Sequence, residues 1–339
     1  MEPVNIKHLA RELNVSISTV SRALRDSHDI GAETKRRVME LARRLNYEPN
    51  PYASSLRRQK SRTIAVVIPE IANNFFSLAI NGVQTIAQEK GYHVLIYLTH
   101  EDYGQETAII RHLLCGRVDG VLMSLSAQTE DIAHLQEVQR KGVPIVFFDR
   151  VCTELETARV TTDDYNSSFK ATEHLLEQGC SRIAYLLISP NLSIGIKRMQ
   201  GYIDALQKHG READDRLVLQ GSHDPERNYA LIAQLLCSGQ RPDGIFASVE
   251  RLALTTYQVC RDLHLSIPGD LKIVSFSNLE TAPLLQPSLT TITQPAFEIG
   301  REAARILFQS FHPRQRGVPH QQVILNSTLM KRASTGYSS

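Results

Sequence analysis

The stretch Val15-Ser16-Ile17-Ser18-Thr19-Val20-Ser21-Arg22 decides how the head of this chain is read. Upstream of it, Ile6, Leu9, Ala10 and Leu13 recur at i, i+3, i+4 and i+7, the apolar stripe of a short helix that Asn5 can open. Asn14 breaks that helix and Ser16 can cap the next. In the second helix Val20 and Leu24 would face inward, leaving Ile17, Ser18, Ser21 and Arg22 outward. A third stripe, Val38, Leu41, Ala42 and Leu45, can roof the pair. Two helices joined by a tight turn under a third describe a helix-turn-helix domain, and small polar groups with an arginine on its second helix suit major-groove base edges. A small three-helix interaction module is the alternative. The basic flanks favour DNA.

Charge supports that choice through its distribution. The 339 residues carry a net charge of only +2, but residues 1–62 hold 13 Lys and Arg against 7 Asp and Glu, and the remainder holds 25 against 29. A basic head on a mildly acidic body is the pattern of a chain that sets its N-terminus on phosphates. At 42% hydrophobic and 22% charged residues the composition is that of an ordinary globular protein, long enough for two or more domains. Five cysteines, an odd number without a CxxC pair, read as reduced thiols. There is neither a signal-peptide-like run nor a window approaching a membrane span, so a cytoplasmic protein is expected.

Residues 46–60 read as a connector. Pro49 and Pro51 stop the third helix; Asn50 and Pro51 can start a two-turn helix carrying Ala53 and Leu56 on one face. One reading is a plain basic linker. The other is a hinge helix that folds on DNA and wedges Leu56 between base steps in the minor groove.

From Thr63 short apolar runs alternate with helical patterns. Strands are expected at 63–68, 94–98, 120–124 and 145–148, with helices ending near Gly91 and Leu114 and another at 132–138. After Asp163 the alternation starts again: helices at 165–178, 196–209 and 225–236, strands at 183–188, 217–219, 245–247 and 272–276, a segment 289–292 that leads into a long helix at 297–311, and one closing strand at 323–329. This is the pattern of parallel sheets with crossover helices, and two doubly wound lobes would enclose a cleft beyond their strand ends.

Several fragments, taken in order, resemble the LacI/GalR family of bacterial transcription regulators over essentially the whole chain: Val15-Ser16 with Thr19-Val20-Ser21-Arg22; Leu45-Asn46-Tyr47-x-Pro49-Asn50; Ala53-x-x-Leu56; Asp149-Arg150; His174-Leu175-Leu176-x-x-Gly179; Arg198-x-x-Gly201-Tyr202; and Pro287-Ser288-Leu289-Thr290-Thr291-Ile292. The resemblance implies an all-α helix-turn-helix head plus an α/β periplasmic-binding-protein-like core of two doubly wound lobes. It divides the chain into a DNA-binding head (1–47), a hinge helix (48–60) and an effector-binding and dimerisation core (61–339). Lobe 1 would comprise about 61–162 and 291–322, and lobe 2 about 163–290 and 323–335. Ile17, Ser18 and Arg22 would read bases; Ser16, Thr19, Ser21, Thr34, Tyr47 and Asn50 would contact phosphates or position the reading helix; Ala53 and Leu56 would form the hinge wedge. Arg25 stands where the family commonly has asparagine.

For the cleft, the resemblance implies effector contacts from Phe75, Phe76, Asp149, Arg198, Glu250 and Ser277. Val249-Glu250 replaces an Asn-Asp common in sugar-binding members, and Ser275-Phe276-Ser277-Asn278 replaces a turn that carries aspartate. Leu192 and Ile194 stand where a purine-binding relative is polar. Phe75 and Phe76 read equally as helix-start core, and Asp149 as a strand-end ion-pair residue.

No catalytic constellation is present: there is no P-loop, no GxGxxG after a strand and no GxSxG. The histidines are scattered, and Asp163-Asp164 lies where the chain crosses between lobes, which suits a hinge better than acid–base chemistry. The expectation is a cytoplasmic homodimeric regulator, a repressor rather than an enzyme. It would bind a pseudo-palindromic double-stranded DNA operator under control of a small-molecule effector, carbohydrate-related, with no cofactor, metal or membrane. A degenerate cleft governed by a partner protein, or a cytoplasmic solute-binding protein, are the alternatives. With no leucine heptad before Ser339, a dimer is expected rather than a tail-made tetramer.

Overall fold

Asn5 accepts the His8 N–H at 3.1 Å and opens α1, Ile6–Leu13, in the computed structural model, which describes residues 5–47, 61–312 and 318–336. Asn14 ends α1 in the left-handed region (φ 51°), where asparagine is among the best-tolerated residues. Ser16 caps α2, Ile17–Ala23, by accepting the Thr19 N–H at 3.1 Å. Together with α3, Ala32–Arg44, they close over Leu9, Val20, Ala23, Val38 and Leu41. Leu24 and Leu45 are only half-buried at the margin of this core. The hinge expected at 48–60, with Asn50, Ala53 and Leu56, lies outside the described residues.

The chain divides into two compact units, Met1–Ser61 and Arg62–Ser339. In the second unit, the first lobe contains β1 (Thr63–Ile68), α4 (Asn74–Glu89), β2 (His93–Leu98), α5 (Tyr103–Leu113), β3 (Gly120–Met123), α6 (Ala133–Arg140), β4 (Ile145–Phe148) and β5 (Arg159–Thr162). The second lobe contains α7 (Asp164–Glu177), β6 (Ile183–Leu187), α8 (Ser193–Lys208), β7 (Val218–Gln220), α9 (Pro225–Leu236), β8 (Gly244–Ala247), α10 (Glu250–Asp262), β9 (Lys272–Phe276) and β10 (Thr290–Thr293). The chain then returns to the first lobe with α11 (Ala296–Ser310) and β11 (Gln322–Leu325), and to the second with β12 (Thr328–Met330).

The first sheet is parallel throughout, in the order β11-β5-β4-β3-β1-β2. Strand alternation places Ile64, Val66 and Ile68 against α4 and α11, while Ala65 and Val67 face α5 and α6. The second sheet repeats the plan as β12-β10-β9-β8-β6-β7, with β12 antiparallel to β10. In each lobe the winding reverses at the first strand, β1 or β6, and the crevice beyond such a switch point is where ligands bind in these sheets. Gly82 and Gly300 let α4 and α11 touch backbone to backbone: a Cβ on either would lie about 2 Å from a carbonyl oxygen of the other helix (2.0 Å from Phe297 O, 1.9 Å from Ala79 O). That contact fixes the N-terminus of α4 at the cleft.

Three departures from the sequence reading matter. Strand β5 and helix α10 were not expected. The single closing strand is two, β11 and β12, one in each sheet, because the chain crosses between lobes at Asn326-Ser327. With β10 in the second sheet and β11 in the first, the crossings fall after Thr293 and Leu325 rather than at 290/291 and 322/323. The crossings are laced together: Asp163 accepts from Ser167 Oγ at 2.9 Å and from the Ser327 N–H at 2.7 Å, and Gln294 Nε2 donates to Thr162 Oγ1 at 3.2 Å.

Candidate functional site

The outward face of α2 carries its side chains in a worked-out hydrogen-bond pattern. Ser16 Oγ lies 2.7 Å from Ser18 Oγ and 2.8 Å from Thr19 Oγ1, so the cap and its neighbours form one hydroxyl cluster. Ile17 is exposed although apolar, and Arg22, in the last turn of α2, has its side chain half in solvent. Ser21 is held by Arg25, whose Nε donates to Ser21 O at 2.8 Å and whose Nη2 donates to Ser21 Oγ at 3.0 Å. Thr34 is half-buried on α3, and Tyr47 packs on the three-helix core, where burial raises its phenol above the ordinary value. The outward side of α2 thus presents an exposed isoleucine and arginine with half-exposed serines, donors and acceptors of the kind that suit base edges.

The second site lies between the two lobes of the core, in a cavity of about 320 Å³ with a smaller recess of about 50 Å³ beside it. Asp149 follows β4 at φ 60°, a strained backbone for aspartate, and lines the recess. Its carboxyl is pushed up to about 6 by burial, against the pull of Arg150 and Arg198. Among the described residues it accepts no side-chain hydrogen bond, and Arg150 Nε stands 3.9 Å away. Arg198 is 4% exposed: Nε donates to Asp164 Oδ1 at 2.7 Å, Nη1 donates to Ser248 O at 2.9 Å, and the guanidinium stacks 3.7 Å from the Phe276 ring centre. Arg150 is fixed by Glu101, whose two oxygens each lie 2.8 Å from its Nη1.

Glu250 opens α10 and joins the lobes. Its Oε1 accepts from Asn74 Nδ2, the first residue of α4, at 2.9 Å, and its Oε2 accepts from Ser277 Oγ at 2.8 Å. A carboxylate between two helix N-termini sits in a favourable field. Next to it Arg251 Nη2 donates to Glu70 Oε2 at 2.6 Å, and Arg251 Nη1 stands 3.2 Å from His223 Nδ1. The structure therefore brings Asp149, Arg198, Glu250 and Ser277 to one recess. Phe75 and Phe76 border it, but both are buried in the first lobe's core, edge-on to each other, with Phe76 edge-on to Phe148. Asn74, Glu70, Arg251 and Glu101 were not foreseen; the pair Glu250-Arg251, three residues beyond a strand end, was the available signal. Among the described residues no group of three or more His, Cys, Asp or Glu could hold a metal ion.

Comparison with known proteins bears on the head and the core as a whole. The pattern of bacterial regulatory proteins of the lacI family matches residues 5–50, and that of the periplasmic binding protein-like domain matches residues 172–335. The chain is 32% identical over 330 residues, 97% of its length and 96% of the relative's, to the HTH-type transcriptional repressor CytR of Escherichia coli strain K12. A structure of the transcriptional regulator CelR with cellobiose superposes with TM-score 0.73 at 26% identity, covering 98% of this chain and all (100%) of the other. The Lac repressor dimer bound to operator and an anti-inducer shares the fold with TM-score 0.84 at 22% identity, over 98% and 99% of the two chains. A helix-turn-helix head that matches the lacI pattern, and an identity of 32% to a transcriptional repressor over 97% of the chain, leave one assignment: the chain belongs to the LacI family of bacterial DNA-binding transcriptional regulators.

Proposed function

We propose that this regulator is a repressor that binds a pseudo-palindromic operator as a homodimer and changes its operator affinity when a small polyhydroxylated effector, carbohydrate-related, enters the interlobe cleft. The observation that carries this reading is the recess itself: a buried carboxylate, Asp149, which accepts no side-chain hydrogen bond among the described residues and has Arg150 Nε 3.9 Å away, and a pinned arginine, Arg198, line one cavity at the strand ends. Hydroxyl groups satisfy both at once, donating to the carboxylate and accepting from the guanidinium. The cellobiose complex of CelR, a similar protein, supports the same ligand class. Because genomic DNA is the partner, the cytoplasm is where it acts. The dimer is supported by an apolar edge: Leu95 and Ile96 on β2, the outermost strand of the first sheet, are both exposed. Uncovered apolar edge strands invite pairing with another chain.

Control follows from linkage. An effector that binds one arrangement of the lobes better than another shifts the population between them, and a coupling of about 1–3 kcal/mol changes operator affinity about 5- to 150-fold. The test is anisotropy of a labelled operator duplex titrated with the full chain, with and without pentoses, hexoses, disaccharides and nucleosides. A shift of at least about fivefold with one of them supports the reading. A second reading has its own observation. Glu250–Asn74 and Arg251–Glu70 bridge the lobes directly, which suits a cleft held shut by its own side chains and a regulator governed by a partner protein. No response to any ligand, with calorimetry showing no binding, would favour that reading.

The hinge expected from sequence supplies a further prediction. Leu56→Ala should weaken operator binding at least about tenfold, since the wedge that opens the central base step is lost, while thermal unfolding stays at the wild-type temperature. Unchanged affinity on the same duplex would remove the hinge from the account.

A further inference from the structure

The loop that follows α2 is tied back to the reading arginine by a closed circuit of bonds. Arg22 Nη1 donates to Asp29 Oδ2 at 2.8 Å. The other oxygen of Asp29 accepts from Ser27 Oγ, and the Ser27 N–H returns to Arg22 O at 3.1 Å. Asp26 turns the chain in the left-handed region (φ 53°), and Lys35 on α3 holds it through its carboxylate at 2.7 Å. The hydrogen bonds from Ser27 and Arg22 hold the Asp29 carboxyl down at about 2, so it is charged at any working pH.

Stability does not explain this circuit. Arg22 and Asp29 are 49% and 40% exposed in their side chains, and exposed pairs of that kind add little to a fold. A carboxylate beside the reading helix also repels DNA phosphates, so its presence weakens non-specific affinity. What it does supply is geometry. A guanidinium is a rigid planar fork, and engaging Nη1 on one side leaves Nε and Nη2, which hold no bond among the described residues, directed elsewhere. A guanine presents O6 and N7 to such a fork in the major groove.

We propose that Asp29 is a positioning residue for base recognition, holding the Arg22 side chain so that its remaining donors meet a single base pair in each half-site. The inference rests on α2 being the reading helix, and it adds a residue outside that helix that sharpens what the helix reads. Ser27 is the support that keeps Asp29 aimed.

The test uses the full chain and a duplex enriched on it from a random pool, with every half-site position then substituted in turn. Affinities are compared for wild type, Arg22→Ala, Asp29→Ala and Asp29→Asn. Arg22→Ala is expected to erase the preference at one base pair, a loss of about 5- to 150-fold in discrimination. Asp29→Ala is expected to reduce the preference at that same base pair about three- to tenfold, leave the other positions as they were and strengthen binding to unrelated DNA. Asp29→Asn, which still accepts a hydrogen bond, is expected to fall between. Helicity and melting temperature of the head should not move, which separates positioning from a structural role. If Asp29→Ala leaves the Arg22-dependent base pair untouched, or shifts preference at a different one, the proposal is overturned while the reading helix stands. If Arg22→Ala changes no position, the assignment of the reading helix falls and the proposal falls with it.

Discussion

Arg198→Ala is expected to cost the core about 3–5 kcal/mol of stability, because removing one partner of a buried ion pair leaves the other charged and unsolvated. The orphan would be Asp164, whose side chain is 1% exposed and whose Oδ1 takes the Arg198 Nε at 2.7 Å. Two further losses add to it: the Ser248 carbonyl loses its donor, and the Phe276 face loses the guanidinium stacked on it. A loss of this size is a large part of the margin by which a domain is folded. The structure therefore makes this residue a support of the second lobe as well as a wall of the cleft. Urea unfolding of the full chain measures it, with the core transition moving and the head's own transition staying. Arg198→Ala combined with Asp164→Ala should recover much of the loss, because no buried charge remains unpaired, whereas effector response should stay absent in both. A core as stable as wild type in the single variant would show that the pair is not buried as described.

Asp149→Asn should do the opposite, stabilising the empty core while weakening its ligand. Burial raises the folded-state carboxyl to about 6 from its ordinary 3.8. The folded protein thus holds the proton more tightly than the unfolded one, so the contribution of Asp149 to stability is present below about 3.8 and lost as pH rises through about 6. At pH 7 the charged group weighs against folding by on the order of 2–3 kcal/mol. Asparagine removes the charge and accepts the left-handed backbone at this position (φ 60°). The variant should be more stable than wild type at neutral pH, by an amount that shrinks as pH falls towards 4. His174 works the other way in the same range: burial lowers it to about 4, so its share of stability is present above 6.5 and lost as pH falls through about 4. It is common to both chains and cancels in the difference. Denaturation midpoints across that range give the difference directly, and a variant less stable than wild type at pH 7 would mean that the carboxylate makes a bond the fold depends on.

Most of the head was legible because local rules decide it, although Leu24 and Leu45 sit at the margin of its core. Asn5 and Ser16 cap the helices they were expected to cap, and Leu9, Val20, Val38 and Leu41 close the core their spacing predicted. In the lobes, runs such as Ile145–Phe148 and Ile183–Leu187 announced themselves as continuous apolar strands. Strand β5 did not, because Arg159-Val160-Thr161-Thr162 holds one apolar residue, and one of its two partners, β11, comes from the far end of the chain. Helix α10 was missed although Leu252, Ala253, Thr256, Val259 and Cys260 recur at helical spacing, because Thr256 interrupts the apolar stripe and Leu254 stands outside it. The closing segment read as one strand because nothing local marks Asn326-Ser327 as a crossing between sheets. The cleft shows the same division. Asp149 and Arg198 were marked by motif, but Glu250 finds Asn74 176 positions away, a pairing that exists only once two lobes are folded and facing. Phe75 and Phe76 were ambiguous in sequence for a physical reason: a residue can fill the core and border the cleft at once, and both do.

The most direct test of the account is selection of random duplex DNA on the purified full chain at about physiological salt, where non-specific phosphate binding is suppressed. The account predicts enrichment of a two-fold symmetric sequence, two half-sites about a shared centre, as a dimer of reading helices requires. Enrichment of no sequence, with binding that only follows salt concentration, would contradict it.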